Sequence, residues 1–183
     1  MLTAYLTSVA DSTDSADLDS LLRRIAVGEQ AALGMLYDQL SHGMYVYALS
    51  LLKDRNDAQD ALQDSILAVV RGASSYHARG KAKAWIYTIV HNRCMQSLRE
   101  RKRTYTSLDE VELPDDSAEA TEARLLLSTC LKQLSEEEGR IVILHAVSGF
   151  RHREIAAMLE LPLPTVLSKY NRALKKLRTI LEG

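Results

Sequence analysis

The helical periodicity of this chain breaks off once, and that break constrains the fold more than any single motif. Residues 104–122 read "TYTSLDEVELPDDSAEATE", with seven carboxylates, no basic side chain and a proline at Pro114. No apolar stripe runs through the stretch, so it has no face to bury against a core. It reads as an extended, solvated linker whose 19 residues span at most about 60 Å. On either side, apolar residues recur at helical spacing and no alternating strand pattern appears. The expected fold is therefore all-α, with two small helical domains joined by an acidic extended linker. The boundaries are a flexible N-terminal tail over 1–16, a first domain over 17–103, the linker over 104–122 and a second domain over 123–183.

Within the first domain, "DLDSLLRRIAVG" predicts a helix capped near Asp17 and stopped by Gly28. "EQAALGMLYDQLSHGMYVYALSLLKD" predicts one long or briefly interrupted helix, with Leu33, Leu36, Tyr37 and Leu40 on its core stripe. "NDAQDALQDSILAVVRG" opens on Asn56 or Asp57 as cap and ends at Gly72. The loop "GASSYHARG" then leads into "KAKAWIYTIVHNRCMQSLRERKR", in which Trp85, Ile86, Ile89 and Val90 are core by periodicity. In the second domain Ser135 and Glu138 have capping-box spacing, and Gly149 closes the helix "EEGRIVILHAVS".

Two prolines near the C-terminus, Pro162 and Pro164, would each cost a helix interior about 3 kcal/mol. In the turn before a helix, or in its first turn, the missing N–H has no intrahelical partner to lose. They therefore start a new helix. At about 100° per residue, Val166, Tyr170, Ala173, Leu174 and Leu177 gather on one side. Thr165, Ser168, Lys169, Arg172, Lys175 and Lys176 gather on the other. A short helix, a tight turn and a second helix with a cationic outer face is helix-turn-helix architecture, suited to the major groove of DNA. The alternative is an ordinary helical hairpin with a solvated face. Arg151 and Arg153 open the first of the two helices, where a Ser or Thr cap is expected; they either hold a DNA phosphate or pair with nearby carboxylates such as Glu136 and Glu137.

The net charge of −1 conceals a strong segregation. Residues 1–80 carry −4, residues 81–103 carry +6, the linker carries −7 and residues 123–183 carry +4. Two separate basic segments point to a polyanion touched at two places. Other classes lack their signatures. There is no glycine-rich phosphate loop, no nucleophile motif and no metal-ligand spacing among the five histidines and two cysteines, which argues against an enzyme and against any cofactor or metal. Cys94 and Cys130 read as free thiols of a reducing cytoplasm. No apolar run approaches the roughly 20 residues that a bilayer requires, so membrane insertion is not expected. The acidic N-terminus argues against a secretory signal.

Three segments in order now carry a resemblance. "NDAQDALQDSILAVV", "KAWIYTIVHNRCMQSLRERKR" and "REIAAMLELPLPTVLSKYNRALKKL" closely resemble bacterial sigma factors of the extracytoplasmic-function group, from Leu21 to the C-terminus. The chain departs from that pattern at Pro164, Leu167, Lys169 and Gln96. The resemblance implies a cytoplasmic promoter-specificity subunit whose partners are core RNA polymerase, promoter DNA and an anti-sigma factor. A stand-alone helix-turn-helix regulator is the competing reading, since it needs only the C-terminal module and a sensor or dimer domain.

The candidate polymerase-docking residues are Asp57, Asp60, Gln63 and Asp64, whose carboxylates share one helix face. The candidate downstream-promoter residues are Ser74, Ser75, Tyr76, His77, Lys81, Lys83, His91, Asn92, Arg99, Arg101 and Arg103. The resemblance implies a pocket for a flipped base at the loop, with Tyr76 or His77 stacking on it; packing of Tyr76 onto Trp85 is the alternative. The candidate upstream-promoter residues are Arg151, Arg153, Thr165, Ser168, Lys169, Arg172, Lys175 and Lys176. Arg172, Lys175 and Lys176 neutralise phosphates in this reading, Thr165 and Ser168 reach base edges, and Lys169 does both.

Overall fold

A computed structural model describes residues 15–77, 80–105 and 133–182, and every regular element among them is helical. Helix α1 spans Ser15–Ala26, and Gly28, at φ 86°, turns the chain into α2, Gln30–Leu52. Helix α3, Arg55–Gly72, is capped by Asp54, whose side chain accepts the Asp57 N–H at 2.9 Å. Asn56 and Asp57, the expected caps, instead lie in its first turn. A single 3₁₀ turn, Ala73–Ser75, precedes α4, Ala82–Tyr105, which runs two residues past the expected domain end. The remainder of the expected linker, and residues 1–14 of the expected tail, lie outside the described residues.

The second domain opens with α5, Glu136–Val142, continued by a π turn over Ile143–Val147. Its capping box is formed as expected, with Glu138 N–H donating to Ser135 Oγ at 3.3 Å and Ser135 N–H donating to Glu138 Oε2 at 3.0 Å. Helix α6, His152–Met158, leads through a turn in which Glu160 adopts φ 54° to α7, Leu163–Glu182. The prolines behave as their chemistry requires. Pro162 O accepts from the N–H groups of Thr165 and Val166, and Pro164 occupies the first turn.

Helices α1–α4 bury Leu18, Leu21 and Leu22 against Leu36, Leu40, Met44 and Tyr47, and against Leu62, Val69, Ile86, Tyr87 and Val90. Two expected core residues depart from this pattern. Tyr37 is exposed, because it lies about 100° round α2 from the Leu36–Leu40 stripe, outside the covered sector. Leu174 is exposed for the same reason on α7, where Val166 and Ala173 hold the buried line. Trp85 and Ile89 are half-buried.

The two domains share a face. Phe150, the chain's one phenylalanine, meets the Tyr87 ring edge-on at 5.0 Å. Lys83 Nζ stands 5.1 Å above the Phe150 ring. Helix α4 also comes close to α2 here: a Cβ on Gly43 would lie 2.5 Å from Tyr87 Oη, so any larger residue would have to displace the buried Tyr87 ring.

Candidate nucleic-acid interface

On α3, the face bearing Asp60, Gln63 and Asp64 is exposed. Leu67, 51 % exposed, stands on the same face one turn beyond Asp64, with Val70 beside it. An exposed leucine within an acidic face provides apolar area for a partner. It carries no charge, so the acidic spacing of this helix does not reveal it. Asp57 lies on the same side of α3 and shares with Asp60 and Asp64 a groove toward Arg93, Gln96 and Glu100 of α4, but it is half-buried and taken up by Arg101. Arg101 Nε lies 2.8 Å from Asp57 Oδ2, Arg101 Nη2 lies 3.8 Å from Asp54, and Arg101 Nη1 donates to Leu52 O at 3.3 Å. Arg101 is therefore a strut between the C-terminal half of α4 and the α2–α3 turn.

The candidates from Ser74 to Arg103 divide by exposure. Ser74, Ser75, His77, Lys81, Asn92 and Arg99 face solvent. Lys81, Thr88, Asn92 and Arg99 follow one another at helical spacing and form one exposed polar line along α4. Thr88 was legible at that spacing but carries no charge to attract notice. Arg103 lies in the last turns of α4. Three further candidates turn inward. Tyr76 packs on Trp85 at 5.0 Å, so of the two readings of this ring the structure takes the packing one. His91 Nδ1 is 3.2 Å from Tyr47 Oη, and burial, aided by Arg140, lowers its pKa. Lys83, beneath Phe150, has its pKa lowered by burial, with Glu154 opposing the shift.

The residue that organises the loop lies far away in sequence. Asp19 of α1 is buried; its Oδ1 accepts from Tyr76 Oη at 2.9 Å and from Ala82 N–H at 3.3 Å, and its Oδ2 accepts from Gly80 N–H. It thus caps the N-terminus of α4 from another helix, where a negative charge is favoured. Burial and then the bond to Asp19 push the Tyr76 hydroxyl up to about 12. Nothing local marked Asp19, because its partners are 57 to 63 residues distant.

On α7, Ser168, Arg172 and Lys175 form the outward line, joined by Asn171 and Arg178, while Thr165 is half-buried. Lys169 and Lys176 stand on the flank facing α5. Lys169 Nζ is 2.6 Å from Glu137 Oε2, and Lys176 Nζ is 2.7 Å from Glu138 Oε2. Arg151 and Arg153 are exposed and form no ion pair among the described residues, so their pairing with Glu136 or Glu137 does not occur there. Arg151 has no acceptor with which to cap α6, but its N–H donates to Glu154 at 2.7 Å. Behind this surface, His145, His152 and Tyr170 pack mutually, Tyr170 edge-on to both imidazoles, with ring centroids 4.2 to 4.9 Å apart, and bind the π turn, α6 and α7 together. His145 Nδ1–H donates to Phe150 O at 2.8 Å. Burial, and next the neighbouring His145, lower the pKa of His152.

Comparison with known proteins agrees with this layout. Residues 36–104 match the profile described as Sigma-70 region 2, and residues 124–177 match Sigma-70, region 4. The chain is similar to the ECF RNA polymerase sigma factor SigK of Mycobacterium tuberculosis, at 32% identity over 178 residues, covering 92% of this chain and 95% of that protein. SigK of Mycobacterium ulcerans is 31% identical over 180 residues, covering 92% and 96%. Two solved structures share the fold: CnrH in complex with the cytosolic domain of CnrY (TM-score 0.65, 21% identity, 91% of this chain and 97% of that one), and RpoE in complex with the anti-sigma factor NepR from Bartonella quintana (TM-score 0.65, 22% identity, 81% and 96%).

Proposed function

The chain belongs to the sigma-70 family, in its extracytoplasmic-function group, as a promoter-specificity subunit of RNA polymerase, and we propose that it divides this work among three surfaces. The α3 face of Asp60, Gln63, Asp64 and Leu67 docks on core polymerase. The acidic rim supplies charge complementarity and Leu67 supplies the apolar contact that such interfaces bury at their centre. Asp57 contributes indirectly, by fixing Arg101. The loop Ser74–His77 and the α4 line of Lys81, Thr88, Asn92 and Arg99 meet the downstream element. There His77, the exposed aromatic of the loop, is the side chain available for stacking on an unpaired base. The α7 line of Ser168, Arg172 and Lys175, with Arg151 and Arg153 beside it, meets the upstream duplex. Lys175 and the arginines bind phosphate, while Ser168 and Lys169 reach base edges.

The observation that carries this reading is the sorting of polar side chains. Those on the outer lines of α3, α4 and α7 are left facing solvent, whereas neighbouring cations of α4 and α7 are held by carboxylates of other helices. The protein supplies recognition and strand separation, and bond formation belongs to the polymerase. This work is cytoplasmic, and no described helix is long and apolar enough to cross a membrane. An anti-sigma factor is the inferred regulator, a reading supported by the complex of the similarly folded RpoE with NepR. A stand-alone regulator leaves the region 2 match unexplained.

The test is the pair Asp60→Arg with Asp64→Arg in the full chain. Helical content should be unchanged, because both residues are exposed, and capture of core polymerase should be lost. Normal capture would remove α3 from the docking surface.

A further inference from the structure

Helix α5 presents two adjacent carboxylates to two lysines of α7, and the two pairs differ in kind. Glu138 is only 6 % exposed at its side chain and is already held by the Ser135 capping box, so its bond to Lys176 belongs to the architecture. Glu137 is 44 % exposed at its side chain, and Lys169, at 22 %, is the partner that holds it. The Lys169 hydrogen bond, followed by its charge, lowers the Glu137 pKa, so the carboxylate is ionised at neutral pH. Lys169 is also the cation nearest the start of α7, the part of a recognition helix that meets base edges.

A lysine ammonium is a mobile point charge on a flexible stem, and beside duplex DNA it gains most by reaching a phosphate. That contact carries no sequence information. Held at 2.6 Å by Glu137, the Lys169 ammonium is partly neutralised and restricted in direction. It uses one of its three N–H donors on the carboxylate and keeps two for base acceptors such as guanine O6 and N7. The second carboxylate oxygen of Glu137 remains an acceptor of the kind that a cytosine amino group satisfies. The pair offers donors and an acceptor side by side, whereas a phosphate can take only the donors and is repelled by the carboxylate.

We propose that Glu137 is a specificity-determining residue of upstream-element recognition, acting through Lys169 by keeping its ammonium off the phosphates and directing it to a base edge, with a G·C pair as the matching target. The proposal rests on the reading of α7 as the upstream-duplex helix. Lys176, clamped by a buried carboxylate, takes no such part.

The experiment uses holoenzyme reconstituted from core polymerase and the full chain. Its two probes are a promoter duplex whose upstream element the wild-type holoenzyme selects from a randomised library, and the same duplex with that element scrambled. Glu137→Gln keeps the size of the side chain and removes its charge. Binding to the scrambled duplex should tighten and its salt dependence steepen by about 0.9 log units per log unit of salt, as for one added phosphate contact. The ratio of selected to scrambled affinity should fall by about fivefold or more, the lower end of what one base contact supplies. Glu137→Asp should restore part of the ratio, and in a Lys169→Ala background Glu137→Gln should change neither quantity. An unchanged slope and ratio in Glu137→Gln overturns the proposal. So does the same tightening with Lys169 absent, since the carboxylate would then simply repel DNA. A wild-type holoenzyme that selects no upstream element would overturn the reading of α7 itself, and the proposal with it.

Discussion

Replacing Asp19 by alanine should destabilise the first domain more than most surface or loop changes, although the residue carries no functional motif. The substitution removes the acceptor of three hydrogen bonds, from Tyr76 Oη, Gly80 N–H and Ala82 N–H. Bonds to a charged acceptor contribute about 1.5–3 kcal/mol each when measured singly, but three bonds to one carboxylate do not add. Gly80 is exposed and water replaces its partner, whereas Ala82 is fully buried and its N–H is left unsatisfied. Loss of the negative charge at the α4 N-terminus costs about 0.3–1 kcal/mol more. The expected total is about 2–4 kcal/mol, a large share of the roughly 5–15 kcal/mol that holds a domain folded. For a chain of this size it corresponds to a fall in melting temperature of about 5–15 °C. Asp19→Asn, which keeps one acceptor oxygen, should lose about half as much. Urea unfolding at an unchanged m-value measures this directly. Because Asp19 anchors the loop that bears His77, open-complex formation by the holoenzyme should suffer more than holoenzyme assembly. A loss under about 0.5 kcal/mol, the scatter of ordinary surface changes, would refute the remote-cap argument.

Three further expectations follow from the same contacts. Arg99→Ala should weaken promoter-complex formation with little change in unfolding free energy, whereas Arg101→Ala, which breaks the contacts to Asp57, Asp54 and Leu52 O, should lower stability by about 1–3 kcal/mol; equal melting curves for the two variants would contradict the division. Phe150→Ala should cost about 3–5 kcal/mol, since the ring is buried between Tyr87 and Lys83, and a loss below about 1 kcal/mol would mean that the domains do not hold this contact in solution. Acidification should destabilise the fold before the Glu137 and Glu138 pairs are lost. The pKa of His152 and of His91 is lowered in the folded state, so the unfolded chain binds protons more readily, and stability present above about pH 6.5 is lost as the pH falls through that value. The lowered values of Glu137 and Glu138 place their own loss below about pH 4.5. Melting between about pH 7 and about pH 5.5 should therefore show a slope that His152→Asn makes shallower, and a flat profile in wild type would exclude the histidine linkage.

What the sequence determined by itself was local. Helix existence followed from apolar spacing, the start of α7 from Pro162 and Pro164, the stop of α1 from Gly28 and the α5 cap from Ser135 and Glu138, because each of these depends on residues within one or two turns. The exposed α3 face and the outward line of Ser168, Arg172 and Lys175 were legible for the same reason: helical geometry alone sorts them from Leu62 and Val166. Which cations remain available to a partner was not legible. Lys169, Lys176, Arg101 and Lys83 look on a helical wheel like Arg172 or Arg99, and what separates them is a carboxylate, a carbonyl or an aromatic ring from another part of the fold. Asp19 and Tyr76 were hidden likewise, since neither the cap of α4 nor the inward turn of the ring exists until α1 lies across the loop. Periodicity assigns a side chain to a face, but only packing supplies the neighbour that meets it there, and an ion pair or hydrogen bond acts over a few ångströms of space whatever the separation along the chain.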